Sequence, residues 1–309
     1  MIALGGNSLS GKQDKGDVKS QFLNTKRAFN HLSVFTENKY KICINHGNGP
    51  QVGNELLRMD LTYKKVHPLP LGLCVANTQG SIGYMIQQSL QNKLREQNID
   101  REVVTLISQV IVDKNDPSFE RPSKFIGSRY SKREIFELSK NLKWSIKEQE
   151  PNQWRRVVPS PMPIYIMHGK SIKALVDRGS IVIASGGGGI PVYNDKNGKL
   201  EGLDAVIDKD YSAAKLGRII KASELWIITD TDNVFLNYKK SNQTRIKVID
   251  INQAIRLYDN GEFQEGSMAP KIKAAIHFLK HHGNKVVITS ISKIKEALNG
   301  KAGTEIRKK

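Results

Sequence analysis

Three glycine-rich stretches and a few lysines and aspartates carry the chemistry legible in this chain. Residues 46–53 read HGNGPQVG directly after the apolar run YKICI at 40–44. A strand there empties into a turn with three glycines and a proline, and the spacing predicts a helix opening near Gln51. Glycine removes the Cβ that would keep a ligand away from backbone N–H groups, and a helix start adds partial positive charge. The combination suits a phosphate or a carboxylate.

Residues 185–191, SGGGGIP after the strand-like IVIA, repeat the theme in the second half. Four consecutive glycines are costly in backbone entropy, so close approach of the backbone to a ligand is the expected reason for them. Gly5, Gly6 and Asn7, directly after the first strand, form a third candidate: a short oxyanion-binding turn at the carboxyl end of a strand. IDKD at 207–210 opens a helix and TDTD at 229–232 follows a strand. Both place carboxylates where they can hold a metal ion, fix lysines or cap a helix. Lys271, in SMAPK, stands in the first turn of a helix, where a lysine opposes the helix dipole unless something anionic joins it. That misfit points to a phosphate.

Two familiar nucleotide motifs fail on spacing. Residues 6–12 read GNSLSGK, but Gln13 stands where a P-loop needs Ser or Thr, and the next helix begins well after Lys12. Residues 47–53 read GxGxxxG, one residue off the dinucleotide fingerprint, with Pro50 after the second glycine. His277 and His281 are spaced i, i+4 without the Glu of HExxH, and read as surface residues. Cys43 and Cys74 sit in apolar runs, form no CxxC pair and read as buried thiols.

The elements that must position these residues alternate. Strand-like runs at 2–4, 40–44, 103–107, 180–184, 224–229 and 285–289 are separated by helical patterns at 21–35, 52–63, 81–95, 171–177, 209–221, 250–259, 270–281 and 291–298. That is the pattern of βαβ units around a mainly parallel sheet. A hairpin turn is expected at 195–198. From about 114 to 156 the texture turns charged, with two tryptophans and a helix near 131–142, and reads as a protruding subdomain or lid.

The composition is that of a globular chain. Of 309 residues, 39% are hydrophobic, and no run approaches the roughly 18 apolar residues of a membrane span. MIALGGN at the start has no basic segment followed by an apolar stretch, so no secretion signal is expected and the cytoplasm is the expected location. The formal charge of +18 raises a nucleic-acid reading. Lysines and arginines are scattered, however, no RNP or zinc-finger pattern accompanies them, and nucleic acid is not expected as the main partner.

Taken together, ALGGN at 3–7, HGNGPQVG, ANTQGSIGYMIQQSL at 76–90, RRVVPSP at 155–161, SGGGGIPV, AVIDKD, TDTDNV and EGSMAPK closely resemble the carbamate kinases, a branch of the amino acid kinase family. The first and last motifs are shared across the broad family; HGNGPQVG, TQGSIGY and SGGGGIPV are more particular to carbamate kinases. The resemblance spans nearly the whole chain. It implies an open αβα sandwich over 1–309, with an acceptor lobe at 1–167 bearing the lid and an ATP-binding lobe at 168–309.

The reaction implied is phosphoryl transfer between ATP and carbamate, run in cells from carbamoyl phosphate and ADP in arginine breakdown, with Mg²⁺ carried mainly by the nucleotide phosphates. A homodimer is implied. By the family's pattern Lys124 is the lid lysine, Lys209 and Lys271 neutralise the phosphoryl group, and Asp210 holds them. Gly5, Gly6, Asn7, Gly47, Asn48 and Gly49 would cradle the acceptor with Gly187 and Gly188, and Thr229, Asp230 and Met268 would lie near the nucleotide. Phe125 stands where the family has a proline after the lid lysine, Met162 where it often has lysine, and the lead into the first strand is short. The alternatives are another amino acid kinase with a carboxylate acceptor or a basic nucleic-acid-binding module.

Overall fold

A computed structural model describes residues 1–6 and 17–308. The chain opens with β1 (Ile2–Leu4), α1 (Val18–Glu37), β2 (Cys43–His46), α2 (Gly49–Thr62) and α3 (Leu71–Glu96). After β3 (Val103–Leu106) and β4 (Gln109–Val112) come β5 (Lys124–Tyr130), α4 (Lys132–Leu142), β6 (Ser145–Glu150) and β7 (Gln153–Val158). Then follow β8 (Pro163–Ile166), α5 (Gly169–Asp177), β9 (Ile181–Ala184), β10 (Ile190–Asn194), β11 (Leu200–Gly202), α6 (Lys209–Ile219) and β12 (Glu224–Thr229). The chain ends with β13 (Val234–Leu236), β14 (Thr244–Ile246), β15 (Val248–Asp250), α7 (Ile251–Asp259), α8 (Met268–His281), β16 (Lys285–Ser290), α9 (Ile294–Leu298) and β17 (Thr304–Arg307).

The central sheet runs β15-β17-β16-β12-β1-β2-β9-β3. Neighbours are parallel except β16 and β17. Its strands read as apolar runs because both faces are covered. Successive residues of a strand point to opposite faces, so Ile2, Leu4, Ile44, Trp226 and Ile228 join one core with Phe29, Phe35 and Ile86 of α1 and α3. Ala3, Cys43, Val182 and Ile227 join the other with Leu216 of α6 and Ile272 and Phe278 of α8. Each fully buried Phe or Ile stabilises this packing by about 1.5–3 kcal/mol. The result is the expected αβα sandwich.

The order β12-β1-β2-β9 decides where the site lies. These four strands are adjacent and parallel, with Leu4 in register with His46 and Ile228, and Ile44 with Ile183. Their carboxyl ends therefore release residues 5–6 and the 46–53, 185–191 and 229–232 loops side by side along one edge, the usual place for a ligand in an open α/β sheet.

Several helices start earlier than their sequence patterns suggest, α2 and α3 for identifiable reasons. α2 begins at Gly49, because Pro50 takes a first-turn position where its missing N–H costs nothing. α3 begins at Leu71 rather than at 81: Gly72, Asn77 and Thr78 weaken helix propensity, but burial of Cys74, Val75, Thr78 and Gln79 overrides it. Between 124 and 158, β5-β7-β6 form a separate antiparallel sheet with α4 on it, whose start is fixed by a capping box between Ser131 and Glu134.

Candidate active site

Gly47 closes the first loop against the second. Its N–H donates to the Leu4 carbonyl at 2.8 Å, and Gly5 N–H donates to the Ile228 carbonyl at 2.8 Å. A Cβ on Gly47 would lie 2.7 Å from Gly6 N and 3.3 Å from Lys209 Cδ, so only glycine lets the two loops and the lysine stem pack together. The glycines of HGNG serve close approach here, and none of Gly47, Gly49 and Gly53 adopts a positive φ. Asn48 precedes α2 but does not cap it. Its side chain instead donates to Thr78 Oγ1 at 2.8 Å, and the first residues of α2, Gly49 and Pro50, line the cavity.

The SGGGG loop is a different device. Ser185, Gly187, Gly188 and Gly189 all have left-handed backbone. Cβ atoms at 186, 187, 188 and 189 would fall 2.3 Å from His46 Nε2, 2.2 Å from Asn48 Nδ2, 2.2 Å from the Ile207 oxygen and 2.1 Å from Val110 Cγ2. The close approach anticipated for these glycines is thus chiefly to the protein itself, and among 186–189 only Gly187 lines the cavity. The Gly188 N–H is spent on the Ser185 carbonyl at 3.1 Å, and its carbonyl accepts from Ser212 Oγ at 2.6 Å. Gln79 braces the loop, donating to the Ser108 and Gly186 carbonyls at 3.2 and 3.1 Å and accepting from Ser108 N–H at 2.7 Å.

A buried aspartate organises the charges. Asp210, in the first turn of α6, accepts from Lys209 Nζ at 2.5 Å through one oxygen and from Lys271 Nζ at 3.2 Å through the other. Burial alone would raise its pKa, but the two ammonium groups outweigh that and hold it below the ordinary carboxylate value. Lys271 is shifted up for the matching reason: burial works against its charge, and Asp210 more than compensates. Asp210 is thus the anion that offsets this lysine at a helix start.

Asp208 does two jobs. One oxygen caps α6 through the Asp210 N–H at 2.9 Å, and the other accepts from Lys124 Nζ at 3.1 Å, carried in from β5. Two of the three readings of IDKD, cap and lysine holder, are realised in one residue. His46 donates from Nδ1 to the Gly47 carbonyl at 3.0 Å, and burial lowers its pKa to about 4, so it is a neutral brace for the turn. His277 is half-buried with its ring stacked on His281 at 4.2 Å, not a plain surface residue.

These groups surround a cavity of 340 Å³. Of the residues singled out from sequence, Lys124, Lys209, Asp210, Lys271, Gly5, Gly6, Gly47, Asn48, Gly49, Gly187, Thr229 and Asp230 line it. Gly188 does not, and Asn7, like the rest of the GNSLSGK stretch after Gly6, lies outside the described residues. Met268 lines an adjoining 360 Å³ cavity with Phe235, Tyr238 and Phe263, and Thr229, Asp230 and Lys271 face both. Sequence reasoning missed Asp208 as the partner of Lys124, Gln79 as the loop brace and Arg155 as a cavity residue. Such an arrangement can hold a polyanion across two connected cavities and neutralise charge where they meet.

The description of the amino acid kinase family matches residues 1–290. The carbamate kinase of Pyrococcus horikoshii is 42% identical over 99% of this chain and 98% of its own length. Carbamate kinase 2 of Staphylococcus aureus is also 42% identical over 99% and 98%. Among solved structures, carbamate kinase from Giardia lamblia bound to AMP-PNP superposes with a TM-score of 0.93 at 37% identity, covering 100% of this chain and 98% of that one. This chain therefore belongs to the amino acid kinase family and, within it, to the carbamate kinases.

Proposed function

We propose that the two cavities are the halves of one transfer site, in which a phosphoryl group passes reversibly between ATP and carbamate. The observation that carries the reading is Asp210 holding Lys209 and Lys271, the latter facing both cavities, in the space lined by the glycines that follow β1 and β2. The 340 Å³ cavity takes carbamate or carbamoyl phosphate, with Gly5, Gly6, Gly47, Asn48, Gly49 and Gly187 as its cradle; Gly188 supports that loop through its carbonyl, which accepts from Ser212. The 360 Å³ cavity takes the nucleotide beside Thr229, Asp230 and Met268. Acceptor lobe 1–167, lid 114–156 and nucleotide lobe 168–309 are the corresponding divisions.

The chemistry asks little of the protein beyond alignment and charge. Carbamate is already an anion, so its attack needs no general base, and a buried neutral His46 is no obstacle. Lys209 and Lys271 offset the charge that spreads over the transferring oxygens, and Lys124 adds a third cation from the lid side. Mg²⁺ fits this donor set as a companion of the nucleotide: Asp230, facing both cavities, is the carboxylate placed to meet it, and the nucleotide phosphates would supply the remaining oxygens. When bound, the ion would neutralise phosphate charge. The same reading extends to ATP formation in arginine breakdown, to the cytoplasm, and to a homodimer, for which edge strand β8 offers the exposed Ile164 and Tyr165 beside Met162.

The direct test is a coupled assay. Purified protein given Mg-ADP and carbamoyl phosphate is expected to form ATP, and carbamate is expected to surpass N-acetylglutamate and aspartate as acceptor in the reverse direction. A carboxylate acceptor that outperformed carbamate would overturn the substrate assignment.

A further inference from the structure

Each lysine of the transfer cavity has a carboxylate: Lys124 has Asp208, and Lys209 and Lys271 share Asp210. Arg155, the fourth cation lining the same cavity, has no ion-pair partner among the described residues. The charged group nearest in effect is Arg129, a like charge. Burying part of a guanidinium without a counter-charge is unfavourable unless an anion joins it.

The side chain is nevertheless held in place. Arg155 lies on β7 opposite a break in the ladder, where pairing with β5 shifts register between Ile126 and Tyr130. Gly127, at φ +70° within that irregularity, has a carbonyl that accepts from Arg155 Nη2 at 2.8 Å. Nη1 donates to Gln149 Oε1 at 3.1 Å, and the guanidinium carbon sits 5.9 Å from the centroid of Phe125. Bulges beside binding sites commonly re-aim a side chain in this way. The Nε–H is buried with no hydrogen-bond partner among the described residues. A fixed guanidinium with an unused donor and an uncompensated charge is suited to a planar carboxylate or a phosphate.

We propose that Arg155 is a substrate-binding residue of the acceptor cavity, donating to the carboxylate of carbamate or the phosphate of carbamoyl phosphate. The inference rests on the function proposed above. Its side is set by the lining: Arg155 shares a cavity with Gly49, Gly187 and Lys124, whereas the cavity around Met268 has no residue from β5 to β7. Phe125 fits this role, because an aromatic ring after Lys124 gives the guanidinium a face to rest on.

The test is steady-state ATP formation by the full-length protein and by Arg155→Ala, Arg155→Met and Arg155→Lys, varying carbamoyl phosphate and Mg-ADP in turn. Loss of the side chain is expected to raise KM for carbamoyl phosphate about ten- to a hundredfold while KM for ADP moves less than about twofold. Arg155→Lys recovers part of the loss through its charge. Arg155→Met keeps an aliphatic stem over Phe125, and carries the same expectation should the alanine variant fold poorly. A purely structural role at Gly127 would lower melting temperature and kcat, leave the ratio of the two KM values unchanged and gain nothing from lysine; that result overturns the inference. A wild type that makes no ATP overturns the function itself, whereas an active wild type whose Arg155 variants keep both KM values overturns this inference alone.

Discussion

The body and the lid side of the cavity hold their cations by different means. In the body, Lys209 and Lys271 converge on Asp210, whose side chain is 3% exposed and anchored in the first turn of α6. At the lid edge, Lys124 reaches Asp208 across the cavity, with side chains 39% and 18% exposed. The first arrangement is built into the core and is complete with or without substrate. The second joins a strand of the small antiparallel sheet to the N-cap of α6 and is in contact with solvent. On the function proposed above, the difference means that neutralising charge at the point of transfer is built into the core, whereas the charge of Lys124 would be available for exchange between Asp208 and a ligand.

The strongest way to break this division is to remove the central anion. Asp210→Asn keeps the shape and discards the charge, so both lysines lose their anchor. ATP formation from carbamoyl phosphate and Mg-ADP is expected to fall about 10²- to 10³-fold, with Lys271→Ala in the same range. Full activity in both variants would show that the buried cluster is structural.

The body should also register acid through its buried histidine. His46 has an ordinary pKa near 6.5 and a folded value of about 4, because burial disfavours the imidazolium. Below about pH 6.5 the unfolded chain takes up a proton that the folded chain refuses, so stability is complete above that pH and falls as pH drops toward 4. The loss amounts to about 3 kcal/mol. Half-buried His277 is shifted to about 4 by burial and by His281, and adds in the same direction. Urea denaturation between pH 7.5 and 4.5, repeated on His46→Gln, isolates the contribution: a variant with the wild-type slope would exclude His46 as its source.

Much of this site is readable from residue types, and the unread part has a common cause. A glycine-rich turn after β1, β2 and β9 marks the cavity's rim, because strand, turn and helix start are local features. Lys271 at a helix start is equally local. Asp208 paired with Lys124 is not, since 84 positions separate them and only the docking of β5 brings them together. The SGGGG loop shows the same limit in reverse. Its glycines announce close approach, but whether to a ligand or to His46, Asn48, Ile207 and Val110 depends on tertiary neighbours. Arg155 was visible in RRVVPSP, yet its direction depends on a register shift that no periodicity reveals.

Lys124→Ala sharpens the comparison from the lid side. Among the described residues its side chain pairs with Asp208, and it sits on a strand whose pairing does not depend on its side chain. Activity is expected to fall about tenfold to a hundredfold, the range for losing one charged hydrogen bond, while thermal stability stays near that of the wild type. A melting temperature that drops as far as it does in Asp210→Asn would mean the lid lysine is part of the framework.

The smallest effect separates the two regions most cleanly. A double-mutant cycle of Lys124→Met with Asp208→Asn measures their coupling while the asparagine keeps the α6 cap. For a pair this exposed the coupling is expected at about 0.2–1 kcal/mol in dilute buffer. At about 1 M salt the Debye length shrinks to roughly 3 Å, so the coupling should fall toward zero. The Lys271 and Asp210 cycle, shielded from solvent, should keep most of its coupling under the same conditions. Equal salt sensitivity in the two cycles would remove solvent access as what distinguishes lid from body. Unequal sensitivity would mean that an entering anion competes for Lys124 on nearly even terms with Asp208, but cannot dislodge Lys209 or Lys271 from Asp210.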